Sequence, residues 1–483
     1  MSNYLRPDVY VQEQGSTEKP IQAVSTSIGA FVGETARGVV GKPLLVTSWT
    51  DFCNKFALGL DTPFTATSDV AHAVYGFFQN GGSQCYVVRV ASPSCSKAKC
   101  VTTSDGLEIY AKDEGAWANN RLKVKVTASA KSQHFDISVY MANTLVETIE
   151  EVSNSASSNN YFKNVINEVS KYLEIKTSAS QSLVATDGIV EMTGGDDSRN
   201  SITNNDFVGT KGLKALDTVE INLVAIPRKS SEKAIATELI GYADNRNDCF
   251  AVIDPPVGAD LEAIQTFRTT LGGTNGALYY PNGYIIDPLG RNAKSLRVCP
   301  PCGHIMGIMA RTDSSKGVYK APAGEDCVVR GFVSLETDIP VGMMDILNPK
   351  AINCIIAKPN KGIIVWGARS LSSDPAKRYV SDVRYDLMVR NSVHEGIQFA
   401  VFEPNNEDLW NKVDTSLRSF LDLQWRGGAL RGSTAEEAYY VKCDSELNTD
   451  DVINAGQLVA EIGYAKQKPA EFVIVKIVQK QAN

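Results

Sequence analysis

Hydrophobic positions change their spacing repeatedly along this chain, and each spacing predicts an element. Residues 28–33, Ile-Gly-Ala-Phe-Val-Gly, form an unbroken small and apolar run that predicts a strand. After Ser68, placed to cap a helix, Val70, Val74, Phe77 and Phe78 recur at helical spacing, and Asn80-Gly-Gly82 predicts the stop. Residues 85–90, Cys-Tyr-Val-Val-Arg-Val, read as the next strand. The spacing then becomes strict alternation. Leu122, Val124 and Val126 alternate with Arg121, Lys123 and Lys125, and Phe135, Ile137, Val139 and Met141 follow the same rule. Alternation predicts strands with one solvated face. After a polar link over 153–160, Phe162, Val165, Ile166, Val169 and Leu173 return to helical spacing.

From residue 220 strands and helices take turns. Strands are predicted over 220–226 and 249–254, with a helix between them over 232–245 that carries Ile235, Leu239 and Tyr242. Later strands are predicted at 278–280, 284–287, 362–366 and 399–402. That rhythm predicts a mostly parallel sheet. Asn405 or Asn406 caps a helix whose Trp410, Val413, Leu417, Phe420 and Leu421 share a face, Glu407 and Asp408 suit its positive end, and Gly427-Gly428 ends it. A strand at 439–443 and a helix over 449–462 follow. Residues 8–13 and 471–478 have strand character but no core of their own, so each needs a sheet edge to pair with.

The 483 residues carry 43% hydrophobic residues and a net charge of −7. This excludes a disordered or collagenous chain and predicts several domains. A mildly acidic chain has no general pull toward nucleic acid or an anionic membrane. No apolar run approaches the roughly 18–20 residues a spanning helix needs, and the first residues lack the apolar centre of a secretory leader, so none is expected. In such a chain the ten cysteines are expected as free thiols.

Candidate chemistry is sparse. Cys299-Pro-Pro-Cys302 with His304 has the form of a redox dithiol or half a zinc site. A redox motif opens a helix, whereas two prolines and Gly303 here predict a loop; zinc needs four ligands, and Cys327 is the nearest further one. Gly38-Val-Val-Gly-Lys42 fails as a phosphate loop, with Ala36 and Pro43 at required positions. Among the histidines, His72 falls in a helix and His134 opens a strand, leaving His304 with Asp254 or Asp287 as a hydrolase set that lacks a nucleophile elbow. Asp196-Asp197 reads as turn chemistry. Three readings stand: an assembly protein joined by strand exchange, a hydrolase, and a redox or zinc-binding scaffold using Cys299 and Cys302.

Several segments resemble the contractile tail sheath proteins of bacteriophages and related injection systems. They are Arg6-Pro-Asp-Val-Tyr-Val-Gln-Glu13, Thr26-Ser-Ile-Gly-Ala-Phe-Val-Gly-Glu-Thr-Ala-Arg-Gly38, Phe77-Phe-Gln-Asn-Gly-Gly82 with the strand after it, and Gly115-Ala-Trp-Ala-Asn119. Asp8 and Ala118 depart from the family pattern, each standing where it has Gly. Ala310-Arg-Thr-Asp313, Gly317-Val-Tyr-Lys-Ala-Pro-Ala323, Asn353 and Val365-Trp-Gly-Ala-Arg-Ser-Leu-Ser-Ser-Asp374 are similar as well. The last third adds Phe402-Glu-Pro-Asn-Asn-Glu-Asp-Leu-Trp410, Trp425-Arg-Gly-Gly-Ala-Leu430, Val441-Lys-Cys-Asp444 and Lys468-Pro-Ala-Glu-Phe472. The likeness spans nearly the whole chain and is weakest over 93–205. It makes Cys299 and Cys302 local substitutions around a Pro-Pro-x-Gly-His stretch.

The resemblance implies an α/β and α+β multidomain fold, an α/β core built from N- and C-terminal parts with inserted outer domains and exchanged terminal strands. The expected divisions are an arm over 1–20, core over 21–92, a peripheral α+β insertion over 93–205, a non-catalytic subtilisin-like α/β domain over 206–345, a C-terminal core domain over 346–468 and an arm strand over 469–483. Val9, Tyr10 and Val11 are the expected contacts of one arm, and Phe472, Ile474, Val475 and Ile477 of the other. Asn406, Lys412 and Arg418 mark a helix face expected toward an inner tube. The implied partners are further copies, six to a ring, an inner tube protein, and baseplate and terminator proteins. No nucleic acid, membrane insertion, cofactor, metal or enzymatic activity is expected. The implied setting is assembly in a bacterial cytoplasm, as part of a virion tail or a contractile injection particle.

Overall fold

The computed structural model describes residues 21–58, 64–101, 107–176, 181–290 and 295–472. The chain divides into two compact units, one of Thr26–Arg384 and one of Met1–Ser25 with Tyr385–Asn483.

An eight-stranded sheet organises the larger unit. Its order is Gly362–Val365, Ile352–Lys358, Gly276–Tyr280, Phe250–Ile253, Leu223–Ala225, Gly29–Gly33, Cys85–Arg89 and Leu44–Val46. The six inner strands are parallel and the two edge strands antiparallel. Every residue of Gly29–Gly33, Phe250–Ile253 and Gly276–Tyr280 is buried, which is why these strands read as unbroken apolar runs. Ala30, Val32, Val224, Ala251 and Leu278 pack with Ile235, Leu239, Ile264 and Phe267 of the Lys233–Arg246 and Leu261–Thr269 helices. Phe31, one step out of phase, meets the Phe77 ring edge-on at 5.7 Å. Phe77 lies on the Val70–Asn80 helix, which packs closely on the helix Cys302–Lys316.

Glycine sets that helix contact. A Cβ on Gly303 would sit 2.1 Å from the Ala73 carbonyl oxygen, and one on Gly307 would sit 2.5 Å from that of Phe77. On the opposing helix, a Cβ on Gly76 would meet the His304 ring at 2.5 Å.

Residues 98–192 gather a second apolar core that includes Trp117, Leu122, Val124, Ile137, Val139, Phe162 and Ile166. An antiparallel sheet in the order Val190–Glu191, Leu122–Ala128, His134–Met141, Thr144–Ser153 covers it, with Val124 opposite Val139 and Val126 opposite Ile137. The Arg37 guanidinium lies over the rings of Trp117 and Tyr172, at 5.5 and 5.2 Å, which ties this region to the loop after Gly33.

Some expected elements are corrected. The Val70–Asn80 helix has Asp69 at its N-cap, without a side-chain cap bond; the Ser68 hydroxyl accepts instead from Val70 N–H and donates to the Glu34 carbonyl. The helix from Phe162 stops at Val169, because the Ser170 hydroxyl accepts from Tyr172 and Leu173 N–H and turns Leu173 into a strand beside Ala111. The Cys-Pro-Pro-Cys segment is no loop: Cys302 opens a fifteen-residue helix.

In the smaller unit, the Glu407–Arg426 helix buries Leu409, Trp410, Val413, Leu417, Phe420 and Leu421, as its spacing predicts. Strands Tyr439–Lys442 and Glu461–Tyr464 pair antiparallel. Residues 399–402 are not a strand. A 3-10 turn at Gln398–Ala400 precedes Phe402, which takes a φ of 68°, and Pro404 follows. The helix expected over 449–462 is only Asp450–Asn454. Gly456, at φ 72°, stops it, and the buried Asn448 side chain binds both the N–H and the carbonyl of Val459.

Candidate functional site

Among the described residues no catalytic constellation stands out, so the sites to build are surfaces. Val9, Tyr10, Val11, Ile474, Val475 and Ile477 lie outside the described residues. Phe472, the last described residue, is 71% exposed.

The three residues expected on a tube-facing helix have unequal duties. The Asn406 carboxamide caps the helix by accepting from Leu409 N–H at 3.0 Å. Arg418 pairs with Asp414 at 2.6 Å and donates to the Val441 carbonyl, fastening the helix to its neighbouring strand. Lys412 is exposed, on the side away from the buried stripe. Asn406 and Arg418 therefore hold the fold locally, and all three residues are exposed. Beside the helix start, Phe399, Val401 and Phe402 are exposed, Phe402 completely. Reading 399–402 as a strand hid this apolar turn; Pro404 two residues on was the available signal.

The paired strands Tyr439–Lys442 and Glu461–Tyr464 form a sheet of two, and among the described residues each has one free edge. Asp386 steadies the second strand, accepting from the Tyr464 hydroxyl at 2.9 Å and the Lys466 ammonium at 2.7 Å. A two-stranded sheet is marginal by itself, and its edges carry backbone N–H and C=O groups, of which the Val441 carbonyl already accepts from Arg418.

The candidates for chemistry are sealed in the core of the larger unit. Cys299 and Cys302 are fully buried and free, and burial pushes both thiols well above their ordinary range. They stay protonated, which is the wrong state for attack or metal binding. His304 is 2% exposed, packs against the Phe332 ring, and its Nδ1 has no partner. Among the described residues no nucleophile is hydrogen-bonded to the buried Nδ1, so this geometry lends the hydrolase reading no support. Asp254 is also buried; it accepts from Arg228 and Cys302 N–H, each at 2.9 Å, and so receives the start of the Cys302 helix. Among the described residues, no group of three or more His, Cys, Asp or Glu is placed to hold a metal. Asp196 takes the Ser198 N–H and hydroxyl, as a turn carboxylate does.

These buried groups make stability depend on pH. Burial drives His304 down to about 3 and His72 down to about 4, while it lifts Asp254 to about 6. The unfolded chain protonates its histidines first as pH falls, so stability declines below about pH 6.5. Asp254 has the opposite sign: it takes its proton in the folded chain first and returns stability below about pH 6. At pH 5 the histidines cost roughly 2 kcal/mol each and Asp254 offsets roughly 1. His304→Leu is expected to shrink the loss between pH 7 and pH 5 by roughly 2 kcal/mol in urea titrations. An equally steep loss in the variant would refute the assignment.

With this geometry in place, comparison with known proteins is informative. Residues 200–371 match the family model of the phage tail sheath protein central domain, and residues 372–480 that of the phage tail sheath C-terminal domain. A putative prophage major tail sheath protein of Pseudomonas aeruginosa (strain UCBPP-PA14) is 26% identical over 258 residues, 52% of this chain and 62% of that protein. The tail sheath protein of Salmonella phage ViI is 23% identical over 333 residues, 66% of this chain and 49% of that protein. The chain thus spans about half to three fifths of the length of these curated relatives. Among solved structures, the anti-feeding prophage helical sheath in its contracted state superposes with a TM-score of 0.61 at 23% identity, covering 98% of this chain and 99% of that one. The contracted PVC sheath complex of an extracellular contractile injection system gives 0.62 at 20% identity, covering 99% of both. A sheath tail protein from Listeria innocua gives 0.64 at 13% identity, covering 92% and 96%. These likenesses describe the fold over nearly the full chain.

Proposed function

This chain belongs to the phage tail sheath family, and from that premise we propose that it is the subunit of a contractile sheath. Copies stack as six-membered rings around an inner tube, and contraction drives the tube through a target cell envelope. The observation that carries the reading is the joint match to the sheath central and C-terminal domains, with a sheet in the C-terminal part that has two strands among the described residues.

The mechanism follows from backbone hydrogen bonding. The terminal strands predicted around Val9, Tyr10 and Val11 and around Phe472, Ile474, Val475 and Ile477 add to the Tyr439–Lys442/Glu461–Tyr464 sheet of neighbouring copies. Main-chain bonds tie the copies while each globular body stays free to rotate about the connecting segment. The extended sheath is metastable, and a baseplate trigger releases it. If contraction buries ~100 Å² more apolar surface per copy, the gain is about 2.5 kcal/mol each. Summed over stacked rings, this drives the stroke without a nucleotide. The exposed Phe399, Val401 and Phe402 turn, with Asn406, Lys412 and Arg418 on the helix beside it, form the surface offered to the tube. Baseplate and terminator proteins close the two ends of the stack. Subunits assemble in the bacterial cytoplasm and act within a phage tail or injection particle.

Negative-stain microscopy tests the reading. The full chain, co-expressed with its tube protein, is expected to give striated tubes or rings. A chain ending at Ala470 is expected to give dispersed subunits, because it lacks the acidic and apolar residues from Glu471 onward. Tubes of unchanged length from the truncated chain would remove the C-terminal arm from the mechanism, and dispersed subunits from both chains would remove the sheath reading.

A further inference from the structure

A basic pocket lies beside the last turns of the Cys302–Lys316 helix in the larger unit. Its volume is about 410 Å³, and Arg311, Lys316, Lys320 and Arg330 line it together with Thr312 and Ser315. Asp326 is the one acidic residue in the lining. None of the four cations forms an ion pair within the described residues, and Asp326 pairs with none of them.

A bland explanation is that Lys316 and Arg311 simply complement the negative end of the helix. Two observations go further. Arg311 directs Nη2 to the Val328 carbonyl at 2.9 Å, outside its own helix, while its Nη1 is buried without a hydrogen-bond partner. A buried guanidinium N–H left unmade is costly. Arg330 comes from a separate segment and is held there by Asn80, fully buried, whose carboxamide accepts from Arg330 N–H and donates to its carbonyl, both at 2.9 Å. Burial, and then the charge of Arg330, weaken the hold of Arg311 on its proton, so the two guanidiniums repel each other across the pocket. The fold thus pins like charges together and leaves a donor unused, an arrangement relieved by an anion between them.

We propose that this pocket is an anion-binding site that takes an oxyanion group, carboxylate or phosphate, between Arg311 and Arg330. Guanidinium forks suit either group in a two-point contact, and the hydroxyls do not compete for it. Thr312 and Ser315 already donate to the carbonyls of Ile308 and Arg311. Lys320, also in the lining, adds further positive charge. The site does not depend on the sheath reading, because its ligand is defined by charge and geometry alone.

Isothermal titration of the full chain tests it with two probes, inorganic phosphate and the peptide Asp444-Ser-Glu-Leu-Asn-Thr-Asp-Asp451, an acidic stretch of this chain. At least one probe is expected to bind saturably, and added sodium chloride is expected to weaken the binding. Arg330→Gln with Lys320→Gln, both exposed positions, is expected to reduce affinity at least tenfold with an unchanged melting temperature. Phosphate binding without peptide binding assigns the pocket to a small oxyanion, and peptide binding assigns it to a carboxylate-bearing chain. Absence of saturable binding by both probes overturns the proposal, as does equal affinity in the double variant.

Discussion

Gly303→Val is expected to destabilise the larger unit by about 3–5 kcal/mol, among the largest effects any single substitution here can have. The cause is backbone on backbone. A Cβ at residue 303 falls 2.1 Å from the Ala73 oxygen and 2.5 Å from the Ala73 carbonyl carbon and Cα, with no side chain able to swing aside. The Val70–Asn80 and Cys302–Lys316 helices must move apart, and Phe77 and Met306 then lose their fit over Gly29 of the central sheet. Gly241→Ala is the control. It lies inside the Lys233–Arg246 helix, where an added Cβ meets nothing within 4 Å. There alanine is expected to stabilise by roughly 0.5–1 kcal/mol through helix propensity. Urea unfolding of both variants decides the matter, and a Gly303 variant as stable as the parent would mean the helices are not closely packed.

The second large effect is at Asp313. Its carboxylate is paired in two places with Arg384, at 3.0 and 2.5 Å, and also accepts from the Thr26 hydroxyl at 2.7 Å. Arg384 additionally donates to the Thr26 carbonyl at 2.8 Å. The two side chains are only 6% and 3% exposed. Removing one partner strands the other charge in the core, so Asp313→Ala is expected to cost about 3–5 kcal/mol. Replacing both, as Asp313→Leu with Arg384→Met, is expected to recover most of that loss, because two apolar groups leave no charge unpaired. Chemical denaturation of the singles and the double separates these outcomes. A double variant as unstable as the single would show that the pair holds more than its own charges, and a harmless single would show that water reaches the site.

Where an element is defined by its own residues, it was legible. The Glu407–Arg426 helix was visible in its apolar stripe, its Asn406 cap and its terminal glycines. The antiparallel pair 122–128 and 134–141 was visible in its alternation, and the parallel sheet in the βα rhythm after residue 220. Misreadings arose where a distant group decided. Asn448 turns the chain at Val459, Ser170 ends a helix whose apolar spacing continues to Leu173, and the Asp254 carboxylate receives the start of a helix that two prolines had disguised as a loop. Thr144–Ser153 went unread because its outward positions include the exposed apolar residues Leu145 and Val146.

The sequence by itself determined the family and the α/β rhythm, because these depend on local period and on short motifs carried by contiguous residues. The tertiary structure decided what each motif is for. Cys299, Cys302 and His304 lost their chemical reading through burial, which no spacing records. Asn406 and Arg418 became fastenings once their partners Leu409, Asp414 and Val441 were in place. Arg311 and Arg330 are nineteen positions apart, and only the hold of Asn80 on a third segment makes them one site. Burial and pairing are sums over neighbours that the fold brings together, so they exist only after the chain has closed on itself.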